Sequence, residues 1–237
     1  MCGIAGIFDF KKNNSLDKNV TNIKKLKNEI LNRGPDHNDY VELNDQKLFF
    51  AFTRLSIIDP IANSNQPMNI DNGLYTIVFN GEIYNYMELR STLIKQGENF
   101  RTNSDTEVIL KLYKKYKNQA FSKLRGMFAI ALWDNLEKKL LLVRDPLGIK
   151  PLYFSFLNNS LYFSSTVKSL HKFNENLKLN ELSLCSYVLF GYVVGANSII
   201  SNIVSTDPGS ILIFKNDGSY TKEYYYNLSE EIISNIN

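Results

Sequence analysis

The feature that most limits how this chain can fold is the run Leu48-Phe49-Phe50-Ala51-Phe52, inside the longer strand-like segment Lys47 to Ile58. A strand with one wet face alternates apolar and polar residues, whereas a nearly continuous apolar run has to be covered on both faces. A sheet carrying it needs a layer on either side. Cys2 to Phe10, Tyr40 to Leu43 and Leu74 to Phe79 also read as strands, as does a meander over Met127 to Trp133, Lys139 to Arg144, Leu152 to Phe156 and Leu161 to Ser164. Ile211 to Phe214 and Tyr220 to Tyr226 form a terminal hairpin about Asn216-Asp217-Gly218. Helical spacing appears from Ser15 to Leu31, through Tyr86, Leu89 and Leu93, after Ser104, and from Asn180 to Phe190. Strands interrupted by a few helices predict an α+β fold in which sheets pack face to face under a helical cover.

At 237 residues and 44% hydrophobic, the chain is long enough for one folding unit with a large core. A net charge of +3, with 27 basic residues dispersed among 24 acidic ones, makes no case for nucleic acid or a membrane surface as partner. The N-terminal apolar run is short, lacks a basic flank and contains Gly3 and Gly6, so a soluble, cytoplasmic protein is expected. Cys2 and Cys185 are too few for a disulfide framework, and Cys185, within an apolar helical pattern, is expected to be buried. With only His37 and His171, in unrelated contexts, a histidine metal site is not expected.

Five short stretches carry chemistry. If Met1 is removed, which a small second residue permits, Cys2 holds a thiol and a free α-amine on one residue. An amine with an ordinary pKa near ~8 can take the proton of a thiol near ~8.5, so the nucleophile brings its own base. Arg54, at the end of the apolar run, is costly to bury without a partner and suited to gripping a carboxylate; a structural ion pair explains it equally well. Asn80-Gly81 is a common tight-turn pair, yet the side-chain amide of Asn80 and the backbone N–H of Gly81 can also aim two donors at one oxyanion. The residues that follow do not alternate like a returning strand, which weakens the hairpin. Ser104-Asp105-Thr106-Glu107 is a capping box; its Asp105 either complements the helix dipole or holds a ligand ammonium. Arg144-Asp145-Pro146-Leu147-Gly148-Ile149-Lys150-Pro151 is an ordered connection between strands.

Taken in order, Cys2, Arg33-Gly34-Pro35-Asp36, Thr53-Arg54-Leu55-Ser56-Ile57, Asn80-Gly81-Glu82-Ile83-Tyr84-Asn85, Ser104-Asp105-Thr106-Glu107 and Arg144 to Tyr153 resemble the N-terminal class II glutamine amidotransferase domain of the asparagine synthetase family. The likeness spans residues 1–226, leaving 227–237 as a polar tail or the start of a linker. It implies a four-layer α/β/β/α sandwich of the N-terminal-nucleophile hydrolase type that splits glutamine into glutamate and ammonia. It also implies the roles. Cys2 attacks the amide carbon, Asn80 and Gly81 stabilise the oxyanion, Arg54 clamps the α-carboxylate and Asp105 the α-ammonium. Glu82 and the backbone of Leu55, Ile57 and Ile58 complete the pocket.

The family usually has histidine where Asn32 and Phe52 stand, and glutamate where Val167 stands; hydrolysis is expected to survive these changes. Family members continue into a synthetase domain that uses ATP and Mg. No cofactor is expected for this chain, and the expected partners are glutamine and a synthetase domain or subunit, with homo-oligomers left open. The alternatives are a related amidotransferase domain, of glucosamine-phosphate synthase or phosphoribosylpyrophosphate amidotransferase, and a catalytically silent glutamine-binding module.

Overall fold

A computed structural model describes residues 1–12, 14–45, 47–56, 59, 64–173 and 178–228. These form two six-stranded sheets. The first runs in the order β10 (Val204–Ser205), β8 (Tyr153–Leu157), β9 (Ser160–Ser164), β1 (Gly3–Asp9), β3 (Leu48–Arg54) and β2 (His37–Leu43). The second runs β12 (Tyr220–Tyr224), β11 (Ser210–Lys215), β7 (Lys139–Arg144), β6 (Gly126–Asp134), β5 (Tyr75–Ile83) and β4 (Met68–Ile70). Neighbouring strands are antiparallel throughout both sheets.

The layers follow from side-chain parity along the strands. Ile4 and Phe8 of β1, with Phe50 and Phe52 of β3, face Val78 of β5, Ala131 and Trp133 of β6 and Leu142 of β7, forming the core between the sheets. The alternate residues face outward. Ala5, Ile7, Phe49 and Ala51 pack on Ile23, Leu26 and Ile30 of helix α1 (Leu16–Glu29) and the residue that ends it. On the far side, Ile77, Phe79 and Ile130 pack on Leu93 of α2 (Tyr86–Lys95) and on Val108, Ile109 and Leu112 of α3 (Asp105–Tyr116). Both faces of the apolar run are thus covered, and the architecture is the expected α/β/β/α sandwich. Each large side chain so buried contributes roughly 1.5–3 kcal/mol.

Local chemistry sets the element ends. Ser15 caps α1 by accepting from Lys18 N–H, and Ser104 caps α3 by accepting from Thr106 N–H. The reciprocal half of the expected capping box is not made: Glu107 turns to the preceding loop and accepts from the N–H groups of Arg101 and Thr102. Asn80-Gly81 is not a turn. β5 runs through it, with Asn80 opposite Ala129 and Gly81 opposite Phe128.

After the short α4 (Val167–His171), helix α5 (Glu181–Phe190) corrects another expectation, because Cys185 is exposed. The residue that α5 buries is Ser183, and its large apolar side chains face out. Within the expected tail, residues 229–237 lie outside the described residues.

Candidate active site

The same parity builds the site. Phe50 and Phe52 fill the inter-sheet core and Arg54 continues their face at the end of β3. Val78 does the same on β5, followed on its face by Asn80 and Glu82. Cys2, one residue before β1, packs against this core just beyond Ile4. At one end of the sandwich, then, the apolar filling gives way to a thiol, a guanidinium, a carboxamide and a carboxylate. They line a small cleft, partly open to solvent, together with Gly81, Asp105 and Lys150.

Cys2 sits against the backbone of Leu55. The Leu55 N–H donates to Sγ at 3.4 Å, and the thiol reaches the Leu55 carbonyl at 3.6 Å. Burial pushes the Cys2 thiol up, while the Leu55 N–H and the charge of Arg54 pull the other way. Burial prevails, which favours the thiol over the thiolate. Arg33 fixes the backbone beside it by donating from Nε to the Cys2 carbonyl at 2.9 Å. Gly34 and Pro35 lie directly on the end of β3: a Cβ on Gly34 would stand 2.4 Å from the Arg54 nitrogen. Asp36 then accepts from Ser56 N–H at 2.7 Å. Arg33-Gly34-Pro35-Asp36, uninformative as a loop in isolation, is the clamp that holds Cys2 against Leu55.

Arg54 is buried, donating to Asn65 Oδ1 at 2.5 Å and to the Asp59 carbonyl at 2.6 Å. Asn80 is buried, and its Nδ2 has no hydrogen-bond partner among the described residues. A buried amide donor without a partner costs about 1–3 kcal/mol, and this one borders the cleft that holds Cys2. Asp105 opens α3 and is tied to β5 by the Ile83 N–H, which donates to its Oδ2 at 3.1 Å. Burial raises its carboxyl to about 6 against the hydrogen bonds from Ile83, Thr106 and Ser104, and Glu82 adds to the rise.

Among the described residues, no group of three or more His, Cys, Asp or Glu side chains could hold a metal ion. No helix among them is long and apolar enough to cross a membrane.

Cys2, Arg54, Leu55, Asn80, Gly81, Glu82 and Asp105 are therefore brought together at one cleft. Ile57 and Ile58 lie outside the described residues. Two further contributors carry no motif-level signal as site residues. Gln66 accepts from Phe79 N–H at 2.6 Å and donates to Thr106 Oγ1 at 3.2 Å, bracing β5 against α3 behind the cleft. Lys150 lines the cleft from a loop built around buried Asp145, whose Oδ2 accepts from Lys150 N–H at 2.9 Å and Phe128 N–H at 3.2 Å. The Arg144 to Tyr153 motif marks that loop as a whole, but nothing in the sequence marks Gln66. Of the departures from the usual family residues, Phe52 stands in the cleft wall, whereas Val167 begins α4.

Two stacked antiparallel sheets between helical layers, with a cysteine leading into strand β1 beside a polar cleft, define an α/β/β/α sandwich with its candidate site at one end. The family model described as "Glutamine amidotransferase domain" matches residues 1–225, and the chain belongs to that family.

It is 39% identical over 226 residues to asparagine synthetase [glutamine-hydrolyzing] 1 of Bacillus subtilis, covering 95% of this chain and 35% of that protein. It is 31% identical over 245 residues to a putative asparagine synthetase [glutamine-hydrolyzing] 2 of Methanocaldococcus jannaschii, covering 95% of this chain and 46% of that one. The chain thus spans less than half the length of these relatives. A solved structure of glutamine phosphoribosylpyrophosphate amidotransferase from B. subtilis shares the fold with a TM-score of 0.66 at 18% identity, over 95% of this chain and 49% of that chain.

Proposed function

We propose that the chain hydrolyses glutamine to glutamate and ammonia, with Cys2 as nucleophile, and supplies the ammonia to asparagine synthesis. The observation that carries this reading is the unpartnered Nδ2 of buried Asn80 beside the Cys2 cleft. A donor left unsatisfied in the resting protein but bordering a nucleophile suits an oxygen that becomes charged only during reaction. Arg54 and Asp105 supply the opposite charges that the two ends of a free amino acid require.

Removal of Met1 exposes the α-amine of Cys2, which takes the thiol proton. The sulfur adds to the side-chain amide carbon, and its oxygen, now negative, is held by Asn80 Nδ2 and the Gly81 N–H. Collapse breaks the C–N bond as the α-ammonium returns the proton to the leaving nitrogen, releasing ammonia and leaving a thioester. Water, deprotonated by the same amine, cleaves the thioester to glutamate and restores the thiol. The amine thereby fills the place of a catalytic histidine.

The amidotransferase step needs no cofactor; ATP and Mg belong to the synthetase reaction, which a synthetase domain or subunit would carry out in the cytoplasm. The test is glutamate release from glutamine by the wild type and by Cys2→Ala, alongside the intact mass. A wild type lacking Met1 should release glutamate and Cys2→Ala should not. Equal activity in the two would sink the mechanism.

A further inference from the structure

Helix α5 is built inside out. Ser183 is its buried residue and Ser186 is half-buried, whereas Leu182, Val188 and Leu189 are 84%, 75% and 74% exposed. The helix ends at Gly191 in the left-handed conformation, and the next turn adds exposed Tyr192 and Val194. From Leu182 to Thr206 the sequence contains no charged residue. Contiguous apolar surface of this kind on a folded domain marks an interface, and an uncharged one excludes nucleic acid and lacks the basic rim of a membrane-surface helix.

The chain that leaves this surface returns to the fold beside the cleft loop. Its segment returns through β10, where Arg144 Nη1 donates to Ser205 Oγ and to the Thr206 carbonyl, each at 2.7 Å. The same guanidinium donates from Nε to the Lys150 carbonyl at 2.9 Å and from Nη2 to the Gly148 carbonyl at 2.7 Å. Lys150 is in the cleft wall. The strand that follows the α5 segment is thus tied, through Arg144, to the loop that carries Lys150.

We infer that the α5 surface, Leu182 to Val194, is the seat of the synthetase portion that makes up the remaining length of the relatives. This rests on the glutamine-hydrolysing reading for the partner's identity. The relatives matched over 95% of this chain are two to three times as long as the match, so in them a large additional body is joined to this domain. α5 offers it an apolar face that the described residues of the domain leave uncovered.

The test mixes the chain with the part of the B. subtilis relative that follows the matched region, expressed separately, and measures binding by sedimentation velocity. A one-to-one complex is expected. The variant Leu182→Ser/Val188→Ser/Leu189→Ser/Phe190→Ser should bind on the order of a hundredfold more weakly while releasing glutamate at the wild-type rate, which also certifies its fold. Equal binding by the two proteins, absence of a complex with the wild type, self-association of the wild type through these residues, or its flotation with phosphatidylglycerol vesicles would each overturn the inference. Loss of glutamate release in Cys2→Ala bears on the hydrolytic reading and leaves this binding result untouched.

Discussion

Asn80 and Asp105 both sit in states that a protein selected for stability alone would avoid. Asn80 keeps a buried donor unsatisfied, and Asp105 keeps a carboxylate where burial lifts its pKa to about 6. Replacing Asn80 by Ala removes the donor without reaching the groups that grip the amino acid. Its kcat should fall by about a hundredfold to a thousandfold, with KM changed little. For Asp105 the sign is set by linkage. The folded protein takes up its proton near pH 6, the unfolded chain only near ~4, so this residue's contribution to stability is fullest below ~4 and is lost as pH rises through about 6. Asp105→Asn should therefore stabilise the unliganded protein at pH 7 by about 2 kcal/mol and leave its stability at pH 4 nearly unchanged, as read by denaturant titration. It should also raise KM for glutamine. In the wild type KM should climb as pH drops below about 6, and a flat profile would remove Asp105 from the ammonium site.

At the scale of elements, the site depends on β5 lying flat against β6 up to its last residue. Gly81 makes this possible, because a Cβ there would stand 2.1 Å from the Met127 carbonyl oxygen and 2.7 Å from the Phe128 Cα, both backbone atoms that cannot swing aside. Gly81→Ala should cost about 3 kcal/mol or more and shift the neighbouring Asn80, so circular dichroism melting and glutamate release should both suffer. The elements themselves were largely legible. The apolar run of β3 and the caps Ser15 and Ser104 read correctly, since each depends on residues within a turn or two, whereas β5, expected to end at Phe79, runs on to Ile83 because β6 pairs with it that far. Two local readings failed for one physical reason: Glu107 and Cys185 are governed by what lies across from them. Glu107 is drawn to the Arg101–Thr102 backbone, and α5 rests on its serine side, leaving Cys185 in solvent.

Across the whole molecule, the proposed nucleophile and oxyanion donor belong to different sheets. Cys2 leads into β1 of one and Asn80 lies within β5 of the other, so the spacing between them is a property of the layer that joins the sheets. Ile4, next but one to Cys2, is fully buried in that layer with Val78, next but one to Asn80. Ile4→Ala should cost about 2–5 kcal/mol in stability. Because it loosens the registry of the two sheets, it should also lower kcat more than it raises KM; an unchanged kcat in the folded fraction would show that the sheets hold their spacing without it.

The order of the motifs, with Cys2 at the start, was enough to identify the family, since residue type and sequence spacing are covalent facts. Periodicity likewise required two covered sheets. What the sequence did not carry was which face of each strand meets the opposite sheet, for alternation is symmetric until a partner breaks it. Only the packed structure decided that Arg54, Asn80 and Glu82 share a face with the inter-sheet core and that Arg33 and Asp36 clamp the nucleophile. It also placed Gln66 as the brace behind them, because contacts between distant residues are settled by how the layers stack.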